Sequence, residues 1–339
     1  MRIVSLLPSA TEIICELGLT NQLVARSEEC NWPLEVASLP VVSLARVNSA
    51  TLDSAAIDQQ VRSALATGAQ LYSIDEVLLR SLRPDVIVTQ DLCHVCAVSS
   101  DNICDVGAQI ISLDPRTITE VADSVRMLAT ALGVPLRGDQ VAERMLTRIS
   151  SVREQVSTAH RPRVFFAEWL TPPFASGHWI PEMVEAAGGI EVLGRVGEPS
   201  RSITWQMVRD AQPDIVILGP CGFDKRRAEH EASTVRHEFD PRWHVAYVNA
   251  DRFFARPAPS IADGVEQLFR ILHQSSRPRG LPTNHPQTEL IMQLHDDAIR
   301  KGEPGYLDPQ TGFYVMTVKT HLDRGNCCNS ACRHCPYVA

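Results

Sequence analysis

The feature that most constrains this chain is a weak internal repeat. Leu82-Arg83-Pro84-Asp85-Val86-Ile87-Val88-Thr89 is echoed by Ala211-Gln212-Pro213-Asp214-Ile215-Val216-Ile217-Leu218. In each copy a helical segment stops at Pro-Asp and a β-branched apolar run follows. A short run that is apolar at every position suits a strand buried on both faces of a parallel sheet. The two halves also begin alike. Arg2-Ile3-Val4-Ser5-Leu6 and Arg163-Val164-Phe165-Phe166-Ala167 each read as a strand, followed by a proline-containing loop and a helix that ends near glycine (Gly18 in one half, Gly188-Gly189 in the other). The predicted fold class is α/β, with two Rossmann-like lobes built on parallel sheets.

A long helical pattern lies between the halves. Ile118, Val121, Val125, Leu128 and Leu132 form a stripe of period 3.6; after Gly133-Val134-Pro135 it resumes with Val141, Met145, Ile149, Val152 and Val156. The expected organisation is an N-terminal lobe over 1–116, a linking backbone helix over 117–160 and a C-terminal lobe over 161–276. A Ser/Pro/Gly-rich linker follows over 277–284. A small cysteine-rich α+β appendix over 285–339 closes the chain, with a helix over 287–300 and a hairpin turning at Pro309-Gln310-Thr311-Gly312.

With 339 residues and a hydrophobic fraction of 44%, the chain can bury more than one core. A net charge of −8 without any dense Lys/Arg cluster excludes a phosphate-tracking surface, so no nucleic-acid partner is expected. No apolar run approaches the roughly 18 residues needed to span a bilayer, so no membrane insertion is expected. Met1-Arg2 leads directly into a core strand, and ten cysteines occur mostly in clusters. Both features favour a cytoplasmic location, with a periplasmic one expected only if a leader has been removed. No Gly-x-Gly-x-x-Gly, P-loop or Ser/His/Asp spacing points to catalysis, so the chain is expected not to be an enzyme.

Several segments together resemble the helical-backbone class of substrate-binding proteins, in particular the cobalamin-binding proteins that serve ABC importers. They are Arg2-Ile3-Val4-Ser5-Leu6-Leu7-Pro8-Ser9-Ala10-Thr11-Glu12, the Arg83-Pro84-Asp85 strand start, the linking helix, and Gly177-His178-Trp179-Ile180-Pro181-Glu182-Met183 leading to Gly188-Gly189. The resemblance covers about residues 1–275. Cytosolic-looking homologues of those proteins are similar in Thr89-Gln90-Asp91-Leu92-Cys93-His94-Val95-Cys96-Ala97-Val98 as well. It implies a non-enzymatic carrier, scavenger or substrate-binding component that holds cobalamin or a related corrinoid between its lobes. Haem or a ferric siderophore is the alternative ligand; a thiol-dependent corrinoid-processing or redox enzyme is the alternative class. Delivery to an ABC importer permease is implied if the protein is exported. One exposed carboxylate per lobe would then dock on the permease, and by position these are Glu76 and Glu185.

A corrinoid is a broad, mostly apolar disc fringed by amides. Its site should offer aromatic faces, hydrogen-bond donors and an imidazole for cobalt. Such groups converge in loops after parallel strands. Pro8, Ser9 and Thr11 follow the first strand, where Ser9 serves either the ligand or the helix as its cap. Gln90, Cys93, His94 and Cys96 follow the Val86–Thr89 run; the thiols either bind or line the loop, and Cys104 would have to join them to complete a zinc site. Trp169, Phe174, His178 and Trp179 follow the second lobe's first strand, with His178 facing cobalt and Trp179 the ring, or His178 simply hydrogen-bonded in place. Trp32 would close the rim, and Arg256 would supply a cationic donor, ordinary loop packing being the alternative for each. In the appendix, Cys327, Cys328, Cys332 and Cys335, with His321 and His334 nearby, suit zinc or an iron–sulfur centre.

Overall fold

The computed structural model describes residues 1–49, 51–91, 103–156, 161–273, 287–324 and 332–334. Contacts divide the chain into two units, Met1–Leu268 and Phe269–Ala339.

The first unit holds two lobes with separate cores. In the first, strands β1 (Ile3–Ser5), β2 (Leu23–Ser27), β3 (Val41–Ala45), β4 (Tyr72–Ile74), β5 (Val86–Thr89) and β6 (Gln109–Ser112) form one sheet in the order β4-β3-β2-β1-β5-β6. All neighbouring pairs are parallel except β3–β4. Helices α1 (Pro8–Glu16), α2 (Ser54–Ala66) and α3 (Glu76–Leu82) connect them. The start of each helix is written locally: Pro8 opens α1, where a missing N–H costs nothing, while Asp53 and Asp75 accept from the first-turn N–H groups of α2 and α3. Val4, Leu6, Ala25, Val42, Leu79 and Ile87 pack together as this lobe's core.

The second lobe has strands β7 (Arg163–Leu170), β8 (Pro173–Ala175), β9 (Ile190–Glu191), β10 (Arg201–Ser202), β11 (Ile215–Leu218) and β12 (His244–Tyr247), ordered β10-β8-β7-β11-β12 with β9 beside β7. Its helices are α6 (Ile180–Ala186), α7 (Trp205–Ala211), α8 (Lys225–Val235), α9 (Ala250–Phe253) and α10 (Ile261–His273). Phe165, Leu170, Trp205, Val216 and Leu218 centre its core. The α/β class with two parallel-rich lobes is therefore the fold of this unit.

The link differs from one continuous helix. It is a pair, α4 (Ile118–Ala131) and α5 (Pro135–Gln155). Gly133 at φ +76° ends the first, and Pro135 starts the second. The pair is antiparallel: Arg126 bonds Glu143 at 2.8 Å, and a Cβ on Gly138 would lie 2.4 Å from the Ala129 Cβ. Glycine is needed there for the helices to touch. Helix α5 ties both lobes, since Arg137 donates to Leu17 O at 3.0 Å while Arg148 pairs with Asp263 and Glu266 at 2.7 and 2.9 Å.

The second unit contains α11 (Thr288–Lys301), the antiparallel hairpin of β13 (Gly305–Leu307) and β14 (Tyr314–Met316), and α12 (Val318–Arg324). Ile291, Ala298 and Tyr306 form its small core. No helix among the described residues is long and apolar enough to cross a membrane.

Candidate ligand cleft

Loops at the carboxyl ends of the strands bring the lobes face to face. Glu12, in the middle of α1, is 3% exposed. It accepts from Arg252 Nη1 at 2.6 Å, from the Ser260 N–H at 2.9 Å and from Ser260 Oγ at 3.1 Å, all on the other lobe. Burial pushes its carboxyl above the ordinary range, against the opposing pull of Arg252 and Ser260. Beside it, Arg252 stacks 4.5 Å from the Trp32 ring centre, and Asn31 Nδ2 donates to Asp251 at 3.0 Å. A second seam closes on the backbone of Leu52 and Ser54. Glu231 accepts from the Ser54 N–H at 3.1 Å, Trp169 Nε1 donates to Ser54 O at 3.1 Å, and Arg227 donates to Leu52 O at 2.8 Å.

Around the first seam, Asn31, Trp32, Asn249, Asp251, Arg252, Phe253 and Asp263 line a pocket of about 420 Å³, within the roughly 300–1,000 Å³ range of small-molecule sites. Trp32, expected to close the rim, is one of these lining residues. Pro8 is half-buried at the start of α1, and Ser9 is buried with its hydroxyl unpartnered among the described residues. Thr11 is committed elsewhere: its hydroxyl donates to Ser5 Oγ at 2.8 Å, which ties α1 to β1 instead of facing a ligand. Gln90 is buried after β5. Cys93, His94 and Cys96 lie outside the described residues.

On the opposite lobe, Trp169 and Phe174 are half-buried and face each other across the β7–β8 pair. Trp169 packs on Phe223 with ring centres 5.3 Å apart while its indole N–H reaches the first lobe, so it is a bridging residue. His178 adopts φ +49°, fixed by its own N–H to Glu198 O at 2.7 Å and by the Gly197 N–H to its carbonyl at 2.9 Å. Its imidazole is half-buried. Burial lowers its pKa, as does Arg116, so the neutral, metal-binding form prevails at neutral pH. Trp179 does not share that outlook. It is 7% exposed, its indole N–H donates to Phe254 O at 2.8 Å, and a packing role replaces the expected ring face. Arg256 is 4% exposed and bonds Asn31 and Asp251, so its charge mainly serves the seam, although its Nη1 has no partner among the described residues.

The sequence reading missed Asn31, Ser54, Arg227, Glu231, Asp251 and Arg252, and it quoted Glu12 without a role. A carboxylate standing between Ala10 and the apolar pair Ile13-Ile14 was the one available signal. Glu76 and Glu185 are each exposed on their own lobe, Glu76 lying 3.6 Å from Arg80.

In the second unit, His295, His321 and His334 are buried. Burial holds His334 down at about 3, with the charges of His295, Arg333 and His321 adding to the effect. Of the four tail cysteines expected to bind metal, only Cys332 is among the described residues, as a thiol outside any disulfide; Cys327, Cys328 and Cys335 lie outside them. No three His, Cys, Asp or Glu side chains among the described residues stand close enough to hold a metal ion.

Two α/β lobes tied by helices, with side chains from both converging on the strand-end loops, define a cleft-type binding protein. Residues 3–238 match the family described as Periplasmic binding protein, and the chain belongs to that family. Residues 294–339 match a second family, described only as one of unknown function. The Vitamin B12-binding protein of Vibrio cholerae is 25% identical over 277 residues, covering 80% of this chain and 88% of the relative. Among solved structures, the periplasmic vitamin B12 binding protein of the same organism superposes with TM-score 0.55 at 23% identity, over 80% of this chain and 96% of that one. A haem-complexed Staphylococcus aureus protein superposes with TM-score 0.61 at 12% identity, over 80% and 98%.

Proposed function

We propose that the first unit binds a corrinoid of the cobalamin type between its lobes and that its task is binding, without turnover. The observation that carries this reading is the 25% identity to a vitamin B12-binding protein across nearly the whole relative. The chemistry of the loops supports it: a neutral, half-buried imidazole at His178, indole faces at Trp32 and Trp169, and polar groups at Ser9, Gln90 and Arg256. Haem is the second ligand to test, because the same scaffold carries it in a solved structure. The expected cytoplasmic location gains nothing from the relatives, whose family is described as periplasmic. Handover to an ABC importer permease through Glu76 and Glu185 completes the reading.

The deciding experiment titrates the protein with hydroxocobalamin, cobinamide and haem while following the absorption bands. Saturable corrinoid binding with weaker haem binding is expected. His178→Ala should weaken hydroxocobalamin at least tenfold, equivalent to about 1.4 kcal/mol, and abolish its band shift. Because the His178 pKa is depressed, wild-type ligation should persist below the ordinary histidine range and fail only as pH falls further. Haem binding alone would replace the corrinoid.

A further inference from the structure

We propose that Glu168 is a positioning residue for the ligand, and that the loop it anchors holds His178 in a strained backbone conformation so that the imidazole meets the cleft. The role rests on the corrinoid reading and names what cobalt ligation by His178 depends on.

Among the described residues, three that are not glycine have positive φ. Arg83 and Gln212 do so where helices α3 and α7 end, an ordinary place for the left-handed region. His178, at φ +49°, stands before α6 and ends no helix. A side chain held there costs free energy and persists only where its surroundings over-determine it, as they do at ligand clamps.

Residues 176–178 lie backbone to backbone against residues 194–200. Ser176 O accepts from the Arg195 N–H at 3.1 Å, and the bonds of His178 to Glu198 and Gly197 continue the contact. A Cβ on Gly177 would stand 2.4, 2.5 and 2.7 Å from Ser200 N, Glu198 O and the Pro199 carbonyl carbon, so only glycine fits. The Gly177 N–H donates to Glu168 Oε1 at 2.9 Å. Glu168 is itself fixed in β7, its carbonyl accepting from the Cys221 N–H at 3.0 Å in the loop after β11. One side chain thus ties the His178 loop to the central strands of the second lobe. The imidazole feels the charge of Arg116, which stands in the strand-end loop after β6 of the first lobe. The ring therefore faces the other lobe, where a ligand held between the lobes would meet it.

The test has a ligand-free arm and a titration, both on the full chain. Without ligand, His178→Gly should unfold at a higher temperature than His178→Ala, because glycine takes positive φ without steric cost while alanine keeps the strain. Equal midpoints, or a lower one for the glycine variant, overturn the strained conformation. With hydroxocobalamin, Glu168→Ala should weaken binding by about fivefold or more and move the absorption bands towards those of His178→Ala. Glu168→Gln keeps an oxygen that accepts from the Gly177 N–H and should retain the wild-type bands. Wild-type bands and affinity in Glu168→Ala overturn the positioning role and leave the corrinoid reading standing. A wild-type protein that binds no corrinoid removes both. Should the alanine variant fail to fold, hydrogen exchange in the wild type decides. Protected Gly177 and His178 amides support the anchored loop, and rapid exchange at both overturns it.

Discussion

At the strand ends away from the cleft, the two lobes repeat each other almost bond for bond. Arg83 and Gln212 both end a helix in the left-handed region, at φ +44° and +48°. Asp85 accepts the Arg2 N–H at 2.6 Å, and Asp214 accepts the Arg163 N–H at 2.8 Å. The arginine side chains then turn back to cap the helix carbonyls, Arg2 onto Leu82 O and Arg163 onto Gln212 O and Ala211 O. At the cleft ends the lobes share nothing comparable. One presents the start of α1 and the backbone of Leu52 and Ser54; the other presents a β7–β8 hairpin and the loop that fixes His178. The scaffold is duplicated and the cleft face is not, so the two lobes present different surfaces there.

The comparison can be broken at several points. The largest effect is expected at the cleft. Glu12→Ala strips a buried pair and leaves Arg252 and the Ser260 N–H unmet, which should cost about 3–5 kcal/mol in urea unfolding. A loss below about 1 kcal/mol would mean that this seam does not hold the lobes together.

Glu191 comes next, because it fixes the loop peculiar to the second lobe. Its carboxylate accepts from the N–H groups of Phe166, Leu193 and Gly194, and burial raises its pKa to about 7 despite those bonds. The folded protein therefore holds this proton more tightly than the unfolded chain. The associated stability is complete below about pH 4.5 and is lost as pH rises to about 7, by up to about 3 kcal/mol. Unfolding of wild type and Glu191→Gln followed from pH 5 to 8 should show the wild-type advantage shrinking as pH rises. A constant gap would return Glu191 to ordinary carboxylate behaviour.

The smallest effect should be the most symmetrical. Asp85→Ala and Asp214→Ala each remove one exposed strand-start acceptor and should each cost about 1 kcal/mol, with ligand affinity unchanged. Unequal losses, or a change in affinity from either variant, would end the separation of scaffold from binding face.

The duplicated half was legible because its determinants are local. Proline and aspartate beside an apolar β-branched run dictate where a helix stops and a buried strand begins, whatever surrounds them. Splitting of the link into α4 and α5 was present in Gly133 and Pro135, but their meaning depends on Gly138 meeting Ala129. The cleft was legible only as a set of loops. Ligand-facing chemistry could be assigned to Thr11 and Trp179 from residue type alone, yet Ser5 and Phe254 O, which claim their polar atoms, are not identifiable as partners from the sequence. The Glu12–Arg252 seam joins residues 240 positions apart, and no local pattern announces it.

By itself, then, the sequence determined the two-lobe α/β plan and the clustering of cysteines in the tail, because propensity, turn chemistry and hydrophobic period act over a few neighbouring residues. Tertiary structure decided which polar groups were left for a ligand. Whether Trp179 or Arg256 keeps a free atom depends on what distant backbone packs against it, and burial, which sets both hydrogen-bond need and protonation, exists only once the chain has folded.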